Sequence, residues 1–347
     1  MKSKRRIWGA VAGIIAVGVI AASLLGTTSA SARPATSAAK YKVGEVFFQA
    51  DPFQVALEKW AKRWAAQKDI ELVTCTQKTA ETGINCVNDW VSQGLDGIIY
   101  APLDPAAAVR PVQSAQAANV PIITVVIKPN APAKMPFIAV NERKLTFQAG
   151  VRAATQARQH FKGQQLGVLA LDLLNLPICK RDRMGGFIAG VKSVARNAKV
   201  YDVGAKGDRL DATNKTADLI QSGRKFNIVT ACTGEMVQGA IAALRAAGRG
   251  KAVGKKPTTE YIFAIDGDKT QLQQLLSKTS PVMQSMGLTP KEQALRQLNL
   301  LLEVINKKIP LTSSKTVIAG AQLINPNCKA VNAYLTTQYL TKALPCR

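Results

Sequence analysis

From Tyr41 to Pro310 the chain alternates short apolar runs with longer amphipathic ones. The runs Val43–Gln49, Ile70–Thr74, Gly97–Tyr100 and Pro121–Ile127 are apolar enough to be strands covered on both faces. Between them Pro52–Gln67, Thr79–Gln93 and Pro105–Ala118 have helical spacing. Asp51 and Asp104 precede prolines that suit a first helical turn, which makes both good N-caps. After Asn141 the rhythm starts again. The pattern predicts helices over Glu142–Phe161, Arg181–Arg196, Ala212–Gln221 and Gly234–Ala247, and strands over Gln165–Leu171, Lys199–Gly204, Asn227–Ala231 and Glu260–Ile265. Pro281–Met286, Pro290–Lys307 and Thr316–Leu323 add a strand, a helix and a strand that could cross back between two units. Strands separated by helices of this length predict an α/β protein of two doubly wound parallel-sheet lobes, joined by several crossing strands.

Before this pattern stand Lys2, Lys4, Arg5 and Arg6, an apolar stretch Ile7–Leu25 and the triplet Ala30-Ser31-Ala32. Basic, apolar and small segments in that order make residues 1–32 a secretory signal peptide, with 33–40 as a linker. The competing reading is a retained membrane anchor, since the run approaches the roughly 20 residues that cross a bilayer. Both readings place the remaining chain, about 315 residues, outside the cytoplasm, secreted or periplasmic. That length suits two ordinary domains: an N-terminal lobe from 41–141 plus 287–316, a C-terminal lobe from 142–286 plus 317–325, and a tail 326–347.

All six cysteines, Cys75, Cys86, Cys179, Cys232, Cys328 and Cys346, lie after the leader. An even number in an exported chain points to disulfides. Six cysteines allow 15 pairings; proximity favours Cys75–Cys86 and Cys328–Cys346, leaving Cys179 with Cys232. One histidine and no C-x-x-C pair speak against zinc, and no cofactor motif is present. The formal charge is +24, of which four units belong to the leader. Export and the scatter of the lysines and arginines argue against nucleic acid as partner and for a solvated basic surface, suited to an anionic wall or membrane face.

Ligands of open parallel sheets sit beyond the carboxyl ends of the strands. The residues there are Asp51 and Phe53 after the first strand, the Cys179–Arg183 stretch, Thr233 to Glu235, and Asp266. Several of these fall in motifs that resemble the periplasmic sugar-binding proteins of the ribose- and galactose-binding type. The motifs are Asp51-Pro52-Phe53, Gly94-Leu95-Asp96-Gly97-Ile98-Ile99 with Ala101-Pro102, Asn119-Val120-Pro121-Ile122-Ile123, Arg183-Met184-Gly185-Gly186-Phe187 and Ala264-Ile265-Asp266-Gly267. Their order, across Tyr41 to Leu323, carries the resemblance. It implies a hinged two-lobed receptor, expected to be monomeric, with Asp51, Phe53, Arg183, Thr233, Glu235 and Asp266 lining the cleft. A carboxylate and a guanidinium offer paired hydrogen bonds to vicinal hydroxyls, and an aromatic face covers the apolar side of a sugar ring.

The chain departs from the family after its fourth strand, where it reads Val125-Val126-Ile127-Lys128, and at Ala101 and Met286, where the family places amides. Lys128, Lys180, Arg181 and Arg183 together point to an acidic or partly apolar ligand. Trp60 and Trp64, one helical turn apart, read as packing. His160 has no serine or cysteine partner in a motif, and no G-x-S-x-G elbow appears, which disfavours a secreted hydrolase. The expected function is therefore a non-enzymatic solute receptor of an ABC-type importer, for a sugar, polyol or sugar acid. The alternative is a receptor that presents its ligand to a membrane sensor or chemoreceptor. A repressor is excluded, because a leader stands where a DNA-binding segment would be.

Overall fold

A computed structural model describes residues 39–173 and 176–346. The leader, whether cleaved or retained, lies outside them. Among the described residues no helix is long and apolar enough to cross a membrane.

The first half of the chain runs β1 (Tyr41–Phe47), α1 (Pro52–Gln67), β2 (Ile70–Thr76), α2 (Ala80–Ser92), β3 (Gly97–Tyr100), α3 (Val109–Ala117), β4 (Ile122–Val125) and β5 (Phe137–Val140). Next come α4 (Glu142–His160), β6 (Gly167–Asp172), a π-helical turn over Ile178–Met184, α5 (Gly185–Val194), β7 (Lys199–Gly204), α6 (Arg209–Gln221), β8 (Ile228–Ala231) and α7 (Gly234–Ala246). A small hairpin, β9 (Ala252–Val253) and β10 (Lys256–Pro257), leads to β11 (Tyr261–Asp266), α8 (Lys269–Leu276) and β12 (Val282–Leu288). The chain finishes with α9 (Pro290–Ile305), β13 (Thr316–Ala319), β14 (Ala321–Ile324) and α10 (Cys328–Gln338).

These strands form two six-stranded sheets, ordered β13-β5-β4-β3-β1-β2 and β14-β12-β11-β8-β6-β7. Every pairing in them is parallel except β12 with β14. The central strands β3, β4, β6, β8, β11 and β12 are buried along their whole length, as continuous apolar runs require when helices cover both faces.

The chain passes between the sheets three times, from β5 to α4, from β12 to α9, and from β13 to β14. The run Thr316–Leu323, which the apolar pattern reads as one strand, is two. Thr316–Ala319 pairs with β5 in the first sheet, Ala321–Ile324 pairs with β12 in the second, and Gly320 joins them. Two of the crossings are bonded together there, since Thr289 Oγ1 donates to the Gly320 carbonyl at 2.6 Å. A Cβ at Gly320 would sit 2.6 Å from the same Thr289 oxygen, so a side chain there would have to displace that hydroxyl.

Other departures also have local causes. The helix expected from Pro105 starts at Val109, because Asn130 N–H takes the Pro105 carbonyl at 2.9 Å and Val109 N–H turns to Ala106 instead. Asp104 accordingly caps a turn, accepting from Ala106 N and Ala107 N. The residues from Ile178 to Met184 coil as a π-helix, which re-aims Arg183 relative to the α-helix expected there. The segment expected as a tail contains α10, fixed by the Cys328–Cys346 disulfide. The other two bridges are Cys75–Cys86 and Cys179–Cys232.

Candidate functional site

The loops after the strands of the two sheets enclose a cleft of about 950 Å³, within the range of roughly 300–1,000 Å³ usual for ligand sites. Asp51, Phe53, Arg183, Thr233, Glu235 and Asp266 all line it, together with Cys179 and Cys232.

The second-lobe wall is built around Arg183, which is 8% exposed. The guanidinium makes a two-pronged ion pair with Glu142, through Nε to Oε2 at 2.6 Å and Nη2 to Oε1 at 2.8 Å. Nη1 donates to the Cys232 carbonyl at 2.6 Å and lies 3.7 Å from Asp266 Oδ1. Nη1 also reaches Cys232 Sγ at 4.0 Å, so most of the guanidinium's donors are committed within the wall. Burial opposes the charge on Arg183, but Glu142, then Asp266 and Asp51, hold it more firmly protonated than usual. Glu142, 1% exposed at the start of α4, is the residue the sequence reading misses. A glutamate in a first helical turn looks like an ordinary dipole partner. Only the close approach of α4 and α5, at Gly150 and Gly190 where a Cβ would strike the facing backbone, brings Glu142 to Arg183.

Asp266 ends β11 at φ 85°, in a region that costs a non-glycine residue strain and that recurs at functional sites. Its Oδ2 accepts from Gly234 N–H at 2.8 Å, at the start of α7. It therefore holds the preceding helix, while Asp268 caps the following one. The Tyr339 hydroxyl donates to the Asp266 carbonyl at 2.6 Å and supports the kink from behind, beside Tyr334, whose hydroxyl donates to the Leu288 carbonyl at 2.6 Å. Thr233 caps α7 and donates to the Gly207 carbonyl, and Glu235 pairs with Arg209 at the cleft rim.

The first-lobe wall is less charged. Asp51 caps α1 through Gln54 N–H at 2.7 Å. Burial and then the facing charge of Asp266 push its carboxyl up to about 7. Phe53 is 6% exposed and belongs mainly to the core cluster with Phe47 and Leu57, so it offers the cleft an edge of apolar floor. Val126 lines the cleft at φ 64°, a rare conformation for a β-branched residue. Two amides absent from the sequence reading also line it. Gln77 donates to the Ala101 carbonyl and leaves Oε1 without a partner, and Gln293 leaves Nε2 without one. Both side chains are almost fully buried, and these two atoms are hidden from the cleft, Gln77 Oε1 lying against Gly83 of α2.

The cationic cluster expected near Arg183 does not form. Lys128 is exposed and lies outside the cleft lining. Lys180 turns to Asp172 and Asp202, and Arg181 to Asp182. The lining holds seven carboxylates against four cationic side chains, so the expectation of an acidic ligand loses its basis. Trp60 and Trp64 stack at 5.7 Å away from the cleft, and their indoles donate to the Gln338 and Lys291 carbonyls. Met286 is buried in the core, and the Ala101 carbonyl is the acceptor of the Gln77 amide. Among the described residues no group of three metal-ligating side chains is placed to hold an ion.

Comparison of the sequence with curated proteins finds no match. Solved structures do match in fold. A protein from Mycobacterium smegmatis in complex with β-D-fucofuranose aligns with a TM-score of 0.73 at 19% identity, covering 86% of this chain and 95% of that one. An ABC transporter solute binding protein from Agrobacterium vitis bound with α-D-tagatopyranose aligns with a TM-score of 0.72 at 16% identity, over 88% and 100%. One from Bacillus halodurans with bound myo-inositol aligns with a TM-score of 0.68 at 18% identity, over 87% and 99%. At such identities these likenesses show the fold. The sequence profile of the periplasmic binding protein domain matches residues 43–309, from the first strand through α9, and on that match the chain belongs to the periplasmic binding protein family.

Proposed function

We propose that the protein is an extracytoplasmic, non-enzymatic receptor that closes over a neutral sugar or polyol and delivers it to the membrane permease of an ABC-type importer. The observation that carries this reading is the pairing of two unlike walls across one cleft. One is the ordered Glu142–Arg183–Asp266 network, and the other sets Asp51 beside an apolar floor that includes Phe53 and Val126. Vicinal hydroxyls donate and accept at once. They can accept from Arg183 and donate to Asp51 and Asp266. The excess of carboxylates in the lining disfavours sugar acids. The sugars and the polyol held by fold neighbours, tagatopyranose, fucofuranose and myo-inositol, are of the class favoured here. Three interlobe crossings of few residues supply the hinge for closure.

A thermal-shift screen against sugars, polyols, sugar acids and organic acids tests the reading. A ligand at about 100 times its Kd stabilises by about 2.7 kcal/mol. Neutral sugars or polyols should raise Tm. Asp51→Asn, which keeps the helix cap but removes the carboxylate, should weaken that shift. A shift confined to anionic compounds would overturn it.

A further inference from the structure

The positive charge of the protein is concentrated on one lobe and, within it, at one end. Residues 142–288 and 320–346 carry 25 basic and 11 acidic side chains, whereas residues 39–141 and 289–319 carry 15 and 11. The strands β6, β7, β8, β11 and β12 run parallel, so all their helix-to-strand connections emerge at the edge of the sheet opposite the cleft. These connections hold nine lysines and arginines and a single acid, Glu260, which is buried against Arg249. At the cleft end, the connections after β7 and β11 hold Lys206 with Asp208 and Asp268.

Two of the nine are committed. Arg249 pairs with Glu260 over the Phe226 ring, and Lys255 donates to the Leu275 carbonyl. Lys162, Arg196, Arg224 and Lys225 are exposed, as are Lys251, Lys256 and Lys278, and none of these seven has an ion-pair partner among the described residues. The connections are laced into one face. Lys199 N–H donates to the Leu166 carbonyl, Asn227 N–H to Gly167, Tyr261 N–H to Asn227, and Lys255 N–H to Lys278. The β9–β10 hairpin projects Val253 from this face, 72% exposed and set between Lys251 and Lys256.

We propose that the distal end of the second lobe is a docking face for an anionic lipid bilayer. A broad set of unpaired cations meets the potential of an anionic leaflet at about 1 kcal/mol per charge. The apolar hairpin tip gains from the headgroup boundary and would gain nothing from a soluble polyanion. Such a face keeps the receptor beside the membrane through charge. It is independent of what the cleft binds.

The experiment uses the chain from Ala39 onward, which forms one compact unit holding all three disulfides. It is sedimented with vesicles of phosphatidylcholine, with and without phosphatidylglycerol. Binding is expected only to the anionic vesicles, with release at high salt. Replacing Arg224, Lys251, Lys256 and Lys278 together by glutamate should lower partitioning by roughly a hundredfold or more. A variant of equal net charge, with Lys59, Lys134, Lys307 and Lys308 replaced by glutamate, should still bind. Val253→Ser should lower partitioning a few-fold. Equal loss in the two charge-reversed variants would show diffuse attraction and overturn the face. Binding to soluble polyphosphate but to no vesicle would make the partner an anionic polymer and overturn the membrane seat. An unchanged Val253→Ser would overturn insertion of the hairpin.

Discussion

Each lobe buries a glutamate that is 1% exposed, and the two are handled in opposite ways. In the second lobe, Glu142 meets Arg183 through two hydrogen bonds beside the cleft. In the first lobe, Glu45 on β1 meets only Gln297, whose Nε2 lies 3.3 Å from Oε1. Burial, followed by the nearby charge of Glu58, pushes the Glu45 carboxyl up to about 8. Glu45 Oε2 and Gln297 Oε1 both lack a donor, and a proton on the carboxyl supplies the one that is missing. Proximity to the site explains the difference. The wall that holds Arg183 keeps a matched ion pair, and the first lobe holds its buried glutamate largely neutral.

The sharpest way to break this contrast is Glu142→Ala. It leaves a buried guanidinium without its counter-charge and should destabilise the protein by about 3–5 kcal/mol in chemical unfolding. Next in size are two disulfides, one from each lobe. Removing Cys179–Cys232, which closes 53 residues, should cost about 4 kcal/mol. Removing Cys75–Cys86, which closes 11, should cost about 3 kcal/mol. Equal losses would show that native strain or residual structure, and not loop closure, dominates.

Glu45→Gln sharpens the comparison through pH. The Glu45 carboxyl is raised in the folded state, so its contribution is complete below pH about 4.5 and fades as pH rises through about 8. Wild type should therefore lose stability across that window relative to Glu45→Gln, measured by denaturant midpoints at several pH values. The smallest effect expected is that of Tyr339→Phe. It removes one hydrogen bond to the strained Asp266 carbonyl and should cost about 1 kcal/mol. Asp51 offers a binding counterpart. A ligand hydroxyl that donates to its carboxylate should bind more tightly as pH rises through about 7, and Asp51→Asn should flatten that dependence.

The sheets were legible because buried parallel strands must be continuous apolar runs, and the cap at Asp51 because an N-cap needs a short oxygen-bearing side chain. Strand β5 escaped notice, being four residues long and preceded by prolines, and α8 because only Gln271, Leu272 and Leu275 are buried. All six residues expected at the cleft line it, since strand ends converge there whatever the loop details.

What the sequence by itself determined was therefore the alternation of elements, the two-lobed plan and the strand ends that carry the site. These follow from local periodicity, which one stretch of chain expresses without the rest. Tertiary structure alone decided which charges meet. Glu142 reaches Arg183 across 41 residues, and Lys180 turns to Asp202 and away from the cleft. Electrostatic partnership depends on distances of a few ångströms between groups far apart in the chain, and only the packed fold sets those distances.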